Sequence, residues 1–116
     1  MSITLLKNNN IESFVKIVDS GNQTITLASL AHLGVTPIGM TIEHIDWSVE
    51  DGEVIHVRRG PAGALVDVFN LSGNGEMDFK KHHFSLEEFS NTNIVCVGKT
   101  GSKDYNIIFG LSKILP

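Results

Sequence analysis

The chain has 116 residues, of which 41% are hydrophobic and 19% charged. This length and composition predict one globular domain over residues 1–116, and they exclude intrinsic disorder as a description of the whole chain. The net charge of -4, with lysines and arginines scattered along the sequence, disfavours nucleic-acid binding. No apolar run approaches the ~20 residues that span a bilayer, so no membrane role is expected.

Short runs of alternating apolar and polar residues dominate the chain, and clusters of Gly, Asn, Asp and Ser separate them. Such alternation is typical of half-buried strands joined by tight turns, and it predicts seven or eight strands. The first ten residues are expected to be either a strand or an arm that orders only on a partner. The candidate partner contacts in this segment are Ile3, Leu5, Leu6, Asn8, Asn9 and Asn10.

The first half of the chain contains three predicted strands before a clear turn. Residues 11–18 and 38–49 alternate cleanly, whereas residues 24–33 are ambiguous and are expected to be a strand that runs into a helical turn. The Asp51-Gly52 pair that follows predicts a hairpin into residues 54–58, because glycine tolerates the positive φ of such turns.

The second half begins with residues 64–71, which are apolar on both faces and predict a central strand. A turn containing Gly73 and Gly75 then leads into residues 76–79. Residues 93–99 and 105–114 are predicted to form a terminal hairpin through Gly101. Between residues 79 and 93, a serine N-cap with Glu and Phe at the capping-box and staple positions predicts a short helical turn over 85–90.

These elements together predict an all-β fold, namely a two-sheet antiparallel sandwich or jelly roll of about seven to eight strands. The glycines expected at turns are Gly52, Gly73, Gly75 and Gly101. The residues expected in the core are Ile45, Trp47, Leu65, Phe69, Leu71, Phe79, Val95, Tyr105, Ile107 and Phe109.

Patterns that would indicate catalysis or a cofactor are weak. Residues 97–100 resemble part of a phosphate-binding loop, but Asn93 stands where that motif needs glycine. The five histidines show no zinc spacing, and His44 with Asp46, which share a strand face, are expected to be surface residues. The sequence therefore predicts no catalytic, metal-binding or cofactor-binding residue, and no enzyme.

The single cysteine, Cys96, cannot form an internal disulfide. Residues 1–7 lack the charged start and long apolar run of a secretory leader. Synthesis in a reducing cytosol is therefore expected.

Four segments in order carry a family resemblance: Thr24–Leu30, Ile45–Val49, Leu71–Phe79 and Tyr105–Phe109. Together they resemble a family of small virion structural proteins of tailed bacteriophages, particularly phages of marine bacteria and cyanobacteria. The most specific segment is Leu-Ser-Gly-Asn-Gly-Glu at 71–76, which family members usually follow with Trp where this chain has Met77. The order and spacing of the four segments, rather than any one of them, define the resemblance.

The resemblance implies a capsid decoration protein that is made in the host cytoplasm, resides in the virion and binds the major capsid protein. Clustering as a homo-oligomer on symmetric lattice sites is expected, and no catalytic residues are implied. One alternative is a head–tail connector, tail or fibre component. Another is a carbohydrate- or host-surface-binding module, since jelly rolls also serve as lectins, and this would need Trp47 or Tyr105 exposed.

Overall fold

The computed structural model describes residues 3–19, 21–60, 63, 65–79, 94–99, 101 and 103–116. Within these residues the chain forms strands and one short 3-10 helix, Ala28–Leu30. The strands are β1 (Ile3–Asn8), β2 (Glu12–Asp19), β3 (Gln23–Ile25), β4 (Gly39–Ser48), β5 (Ile55–Gly60), β6 (Val66–Leu71), β7 (Asn74–Asp78), β8 (Ile94–Lys99) and β9 (Tyr105–Ile114). The all-β prediction is confirmed, and β3 does run into a helical turn.

The strands form two antiparallel sheets, with the orders β1-β2-β9-β4-β7 and β3-β8-β5-β6. The pairing is nested: β5 pairs with β6, β4 with β7, β3 with β8 and β2 with β9. Successive pairs alternate between the sheets, which is the jelly-roll arrangement. Strand β1 is added to it as an extra edge strand beside β2.

The core lies between the two sheets and is built by period-two alternation. In β9, for example, Tyr105, Ile107, Phe109 and Leu111 are all buried, while Asn106 on the opposite face is exposed. Each fully buried side chain of this size contributes about 1.5–3 kcal/mol to folding. One continuous cluster joins buried residues of both sheets, so neither sheet is a separate unit.

Seven of the ten residues expected in the core are buried: Ile45, Leu71, Phe79, Val95, Tyr105, Ile107 and Phe109. Trp47 and Phe69 are partly buried and pack against this cluster. Leu65, just before β6, is half-buried. The rings of Phe69 and Phe79 stack with centroids 5.5 Å apart, which joins the two sheets at that side.

The two hairpins predicted around Gly52 and Gly101 are wrong. Both glycines do have the positive φ that a turn needs, 85° and 90°. Strands β4 and β5, however, lie in different sheets, and so do β8 and β9. Turn chemistry specifies only that the chain reverses, and here each reversal carries the chain across the core to the other sheet.

The prediction of a central strand over 64–71 is also wrong, because β6 ends its sheet and Val66 is 66% exposed. The β5–β6 pair is the innermost hairpin of the nest, so its second strand has no further neighbour among the described strands.

Gly75 was predicted to lie in a turn, and this too is wrong, since it is a residue of β7 and pairs with Trp47 of β4. The turn is made by Gly73, whose φ is 62°. Gly75 is needed for space instead, since a Cβ there would overlap the indole of Trp47.

The segment expected to be a strand or an arm is a strand from Ile3 to Asn8, hydrogen-bonded to β2. The register shifts between Leu5 and Lys7, so this edge contains a β-bulge. The helical turn predicted over 85–90 lies outside the described residues.

Candidate functional site

The outer face of the five-stranded sheet carries a groove of about 450 Å³. It crosses β2, β9 and β4, with Phe14 and His44 on either side of Gly110. A Cβ at Gly110 would lie 3.0 Å from His44 Cβ and 3.1 Å from Phe14 Cε1. Because Gly110 has no side chain, its backbone forms the floor of the groove between Phe14 and His44.

A β-bulge in β4 shapes the same groove. The register between β4 and β9 shifts between Ile42 and His44, so Glu43 is the extra residue. Its carboxylate accepts a 3.0 Å hydrogen bond from Ser112 Oγ, and its carbonyl accepts one from Phe79 N–H at 2.8 Å. The bulge thus places Glu43 and His44 together along the groove.

Beside the groove, three side chains with metal-binding atoms lie close together. His44 and Asp46 point to the same face of β4, and Glu76 of β7 pairs directly with Asp46. The ligand atoms of His44, Asp46 and Glu76 all lie within 4.8 Å of one another. His44 is half-buried, and both carboxylates are exposed. The sequence placed His44 and Asp46 on one face, but only strand pairing brings in Glu76.

One end of the sandwich is apolar on its surface. We call it the apolar end and define it as Ile11, Leu33, Val35, Ile38, Ile114 and Leu115, which are 67%, 83%, 42%, 38%, 38% and 42% exposed. Backbone hydrogen bonds join three of these segments: Lys113 N–H donates to Ile11 O, and Ile38 N–H donates to Ile114 O, both at 2.8 Å. Asn8 Nδ2 and Lys113 Nζ donate to Ala31 O and Leu30 O, which brings the turn that contains Leu33 and Val35 to the same end. Six of the ten exposed large hydrophobic residues among those described therefore lie at this end.

Leu33 occupies the tip of a tight turn within the apolar end. It has a φ of 50° and is followed by Gly34 with a φ of 80°. His32 and Val35 exchange two 3.0 Å backbone hydrogen bonds across the turn. A left-handed conformation costs a residue such as leucine about 1–2 kcal/mol, yet this leucine is almost fully exposed. The turn was not predicted, and its one local signal in the sequence is Gly34, since glycine tolerates a positive φ.

The apolar end is held by one lysine ammonium group. Lys113 Nζ donates to Asn8 Oδ1 at 2.5 Å, Asn9 O at 2.6 Å and Leu30 O at 2.6 Å. Burial lowers the pKa of Lys113. Asn8 also accepts from Ser13 Oγ at 2.6 Å. This lysine therefore ties the β1–β2 turn and the 3-10 helix to the end of β9.

The candidate partner contacts at the N-terminus separate into two groups. Asn8 and Asn9 make internal hydrogen bonds, since Asn9 Oδ1 accepts the amides of Ile11 and Glu12, both at 2.9 Å. Their side chains stabilise the β1–β2 turn instead of facing a partner. The members of this set that are exposed are Leu5, Leu6 and Asn10, whereas Ile3 packs against the core.

Neither large aromatic side chain named for sugar binding is fully exposed. Tyr105 is 1% exposed, and its hydroxyl donates a 2.9 Å hydrogen bond to Gly21 O. Trp47 packs against the core, and its Nε1–H donates to Ser72 O at 3.0 Å. The phenol is therefore closed to a sugar ring, and the indole is half-buried with Gly75 against it.

The chain matches no model of a known protein family, and it matches no curated protein. Among solved structures it is similar to the Drosophila melanogaster CENP-C cupin domain, at 10% sequence identity and a TM-score of 0.31. That alignment covers 98% of this chain and 75% of the other. In the described part of the chain, no helix has the length and apolar character to cross a membrane.

Proposed function

We propose that this chain is a structural protein of a virus particle, namely a capsid decoration protein that binds the lattice of the major capsid protein through its apolar end. The observation that carries the proposal is the concentration of six exposed hydrophobic residues at one end of the sandwich. Contiguous apolar patches mark contact surfaces on otherwise polar proteins.

The strained turn supports a role in binding. The left-handed conformation of Leu33 lowers the stability of the free chain, and because the side chain is exposed, no hydrophobic burial offsets this cost. Burial of the leucine side chain against a partner would offset the cost of the strained backbone. Leu33 is therefore the expected anchor of the contact.

Strand β1 supplies a second contact in this proposal. It is the outer strand of its sheet, and its Leu5 and Leu6 are 43% and 53% exposed. Edge strands can pair with a strand of a partner through their backbone groups. The order of the four resembling segments and the jelly-roll architecture, which viral capsid domains share with lectins and cupins, also support the proposal. Fold alone does not define function.

A decoration protein needs no chemistry in order to act. Because it binds only the assembled lattice, each bound copy lowers the free energy of the shell relative to its dissociated subunits. Repetition over equivalent sites multiplies this effect, and clustering around symmetry axes follows from the lattice.

The surface is tested by sedimentation of the purified chain with shells that lack it. Leu33→Asn and Ile11→Ser are each expected to weaken binding at least about tenfold. This is the change in affinity that corresponds to the loss of one apolar side chain buried in the contact. Val66→Ser is the matched control, since Val66 is as exposed as Ile11 but lies on β6. Asparagine tolerates the left-handed turn, so Leu33→Asn is expected to keep the thermal stability of the parent chain. Equal binding by all three variants would contradict the proposed surface.

The position in the particle is tested by quantitative mass spectrometry of purified virions against the major capsid protein. A decoration protein is expected at on the order of hundreds of copies. About a dozen copies or fewer would instead favour a connector, tail or fibre component, since those parts have low rotational symmetry. Absence from the particle would contradict a virion role.

A further inference from the structure

One imidazole and two carboxylates lie close together on the outer face of the five-stranded sheet. His44 and Asp46 are two residues apart on β4, and Glu76 is the direct cross-strand neighbour of Asp46. From these positions we propose that His44, Asp46 and Glu76 bind a divalent first-row transition metal ion such as Zn²⁺. None of these three residues belongs to the apolar end, so the proposal does not rest on the proposed capsid contact.

Distances and exposure are compatible with binding one ion. The ligand atoms lie within 4.8 Å of one another, and atoms held at about 2.1 Å from a tetrahedrally coordinated ion lie about 3.4 Å apart. A small rotation of the two carboxylate side chains closes that difference. Both are exposed, so no core packing opposes the rotation.

Local charge favours a cation at this point. Two carboxylates that face each other across paired strands repel, and Asp46 and Glu76 are such a pair. Neither forms an ion pair with a described residue; the ion pairs found there are Lys7–Glu12 and Arg58–Asp67. In the same cross-strand row, Lys16 is separated from Asp46 by Ile108 of β9, which places it two strand spacings away, or about 10 Å. A bound cation would remove the repulsion.

The donor set selects the kind of ion. Imidazole nitrogen favours Zn²⁺ and its neighbours, whereas Mg²⁺ and Ca²⁺ prefer oxygen ligands alone. Three protein ligands leave at least one coordination position open. The groove begins at His44, so this open position lies beside a cavity that a small anion or a carboxylate of a partner can enter.

The test is calorimetric titration of the chelator-treated chain with ZnCl₂, and with MgCl₂ in parallel. The parent chain is expected to bind one Zn²⁺ at this site, and His44→Gln, Asp46→Asn and Glu76→Gln are each expected to weaken that binding at least tenfold. Glu50→Gln, an exposed acid in the β4–β5 turn, is the matched control and is expected to bind as the parent does. A Zn²⁺-dependent rise in unfolding temperature that is lost in Glu76→Gln supports the same site.

Three outcomes would overturn the proposal. The first is the absence of Zn²⁺ binding. The second is Zn²⁺ binding of equal affinity in the parent and in Glu76→Gln, which would mean that the ion binds at a different site. The third is Mg²⁺ binding as tight as Zn²⁺ binding, because it would mean that the imidazole takes no part. Without metal, Asp46→Asn and Glu76→Gln are expected to unfold at or slightly above the temperature of the parent, because each substitution removes the repulsion between the two carboxylates.

Discussion

Individual side chains at the edge of the sandwich depend on space left by glycine. Gly75 has no positive φ, so its role is not conformational. The indole of Trp47 lies over it, and the indole N–H donates to Ser72 O at 3.0 Å. Gly75 is predicted as a turn residue because it belongs to a Gly-Asn-Gly run. The alternation of apolar and polar residues does not indicate that the Trp47 indole of the neighbouring strand lies over it.

Replacement of Gly75 by alanine is expected to lower the free energy of unfolding by about 1–3 kcal/mol, since the added methyl group overlaps the indole and displaces it. Urea unfolding measures the loss, and the fluorescence of Trp47, the only tryptophan, reports its new surroundings. Gly63→Ala is the control, because a Cβ there meets nothing within 4 Å. Equal stability of the two variants would show that the ring does not depend on Gly75.

Tyr105 is the residue whose titration is coupled to folding. Burial, with smaller contributions from the charges of Asp19 and Cys96, raises the pKa of Tyr105. The folded chain therefore keeps the phenol protonated above about pH 10, where the unfolded chain ionises it. Unfolding then releases a proton, so the free energy of unfolding falls as the pH rises above about 10.

Substitution of Tyr105 by phenylalanine is expected to have two effects. At neutral pH it removes the hydrogen bond to Gly21 O, at a cost of about 1 kcal/mol. Above about pH 10 the stability of the variant is expected to fall less steeply than that of the parent, because the titrating group is gone. Urea unfolding at about pH 8 measures the loss of the hydrogen bond, and its comparison with unfolding at about pH 11 measures the change in pH dependence. Parallel losses of stability in the two proteins would contradict this linkage.

At the scale of elements, the N-terminal strand and the 3-10 helix are fastened through Lys113. Its ammonium group donates to Asn8, Asn9 and Leu30, which belong to segments more than 80 residues away in sequence. No sequence pattern predicts this contact, since a lysine near the end of a strand is in most cases a solvated residue.

Lys113→Met is expected to lower the free energy of unfolding by about 2 kcal/mol, because it leaves three acceptors without a charged donor. Hydrogen exchange is expected to accelerate in β1 and in residues 28–30, while the centre of β9 stays protected. Lys16→Met, on the outer face of β2, is the control and should change stability by less than about 0.5 kcal/mol. Uniform acceleration over the whole chain would instead indicate a global loss of stability with no local tie.

Strand positions were largely predictable. Alternation located eight of the nine strands to within two or three residues, and the first segment was correctly allowed to be a strand. This works because a strand with one buried face must alternate, whatever its partner. The strained Leu33 turn was not predicted, because leucine rarely adopts a positive φ and is not a turn residue.

For the whole molecule, the topology was beyond sequence reasoning. Neighbouring runs were assigned to hairpins around Gly52 and Gly101, whereas the nested order pairs β2 with β9 and β4 with β7. The same holds for the metal-binding proposal, in which Glu76 joins His44 and Asp46 only because β7 pairs with β4. The apolar end likewise unites segments around residues 11, 38 and 114, and side-chain hydrogen bonds to Leu30 O and Ala31 O bring the turn around residue 33 to them.

The sequence was enough to predict an antiparallel β-sandwich, the positions of most of its strands and seven of the residues in its buried core. These properties follow from local periodicity and turn chemistry. The tertiary structure alone decided which strands pair, which surface is apolar and which charged side chains meet. Those outcomes depend on how the strands distribute between two sheets, and a turn residue specifies a reversal of the chain without specifying the sheet that the next strand enters.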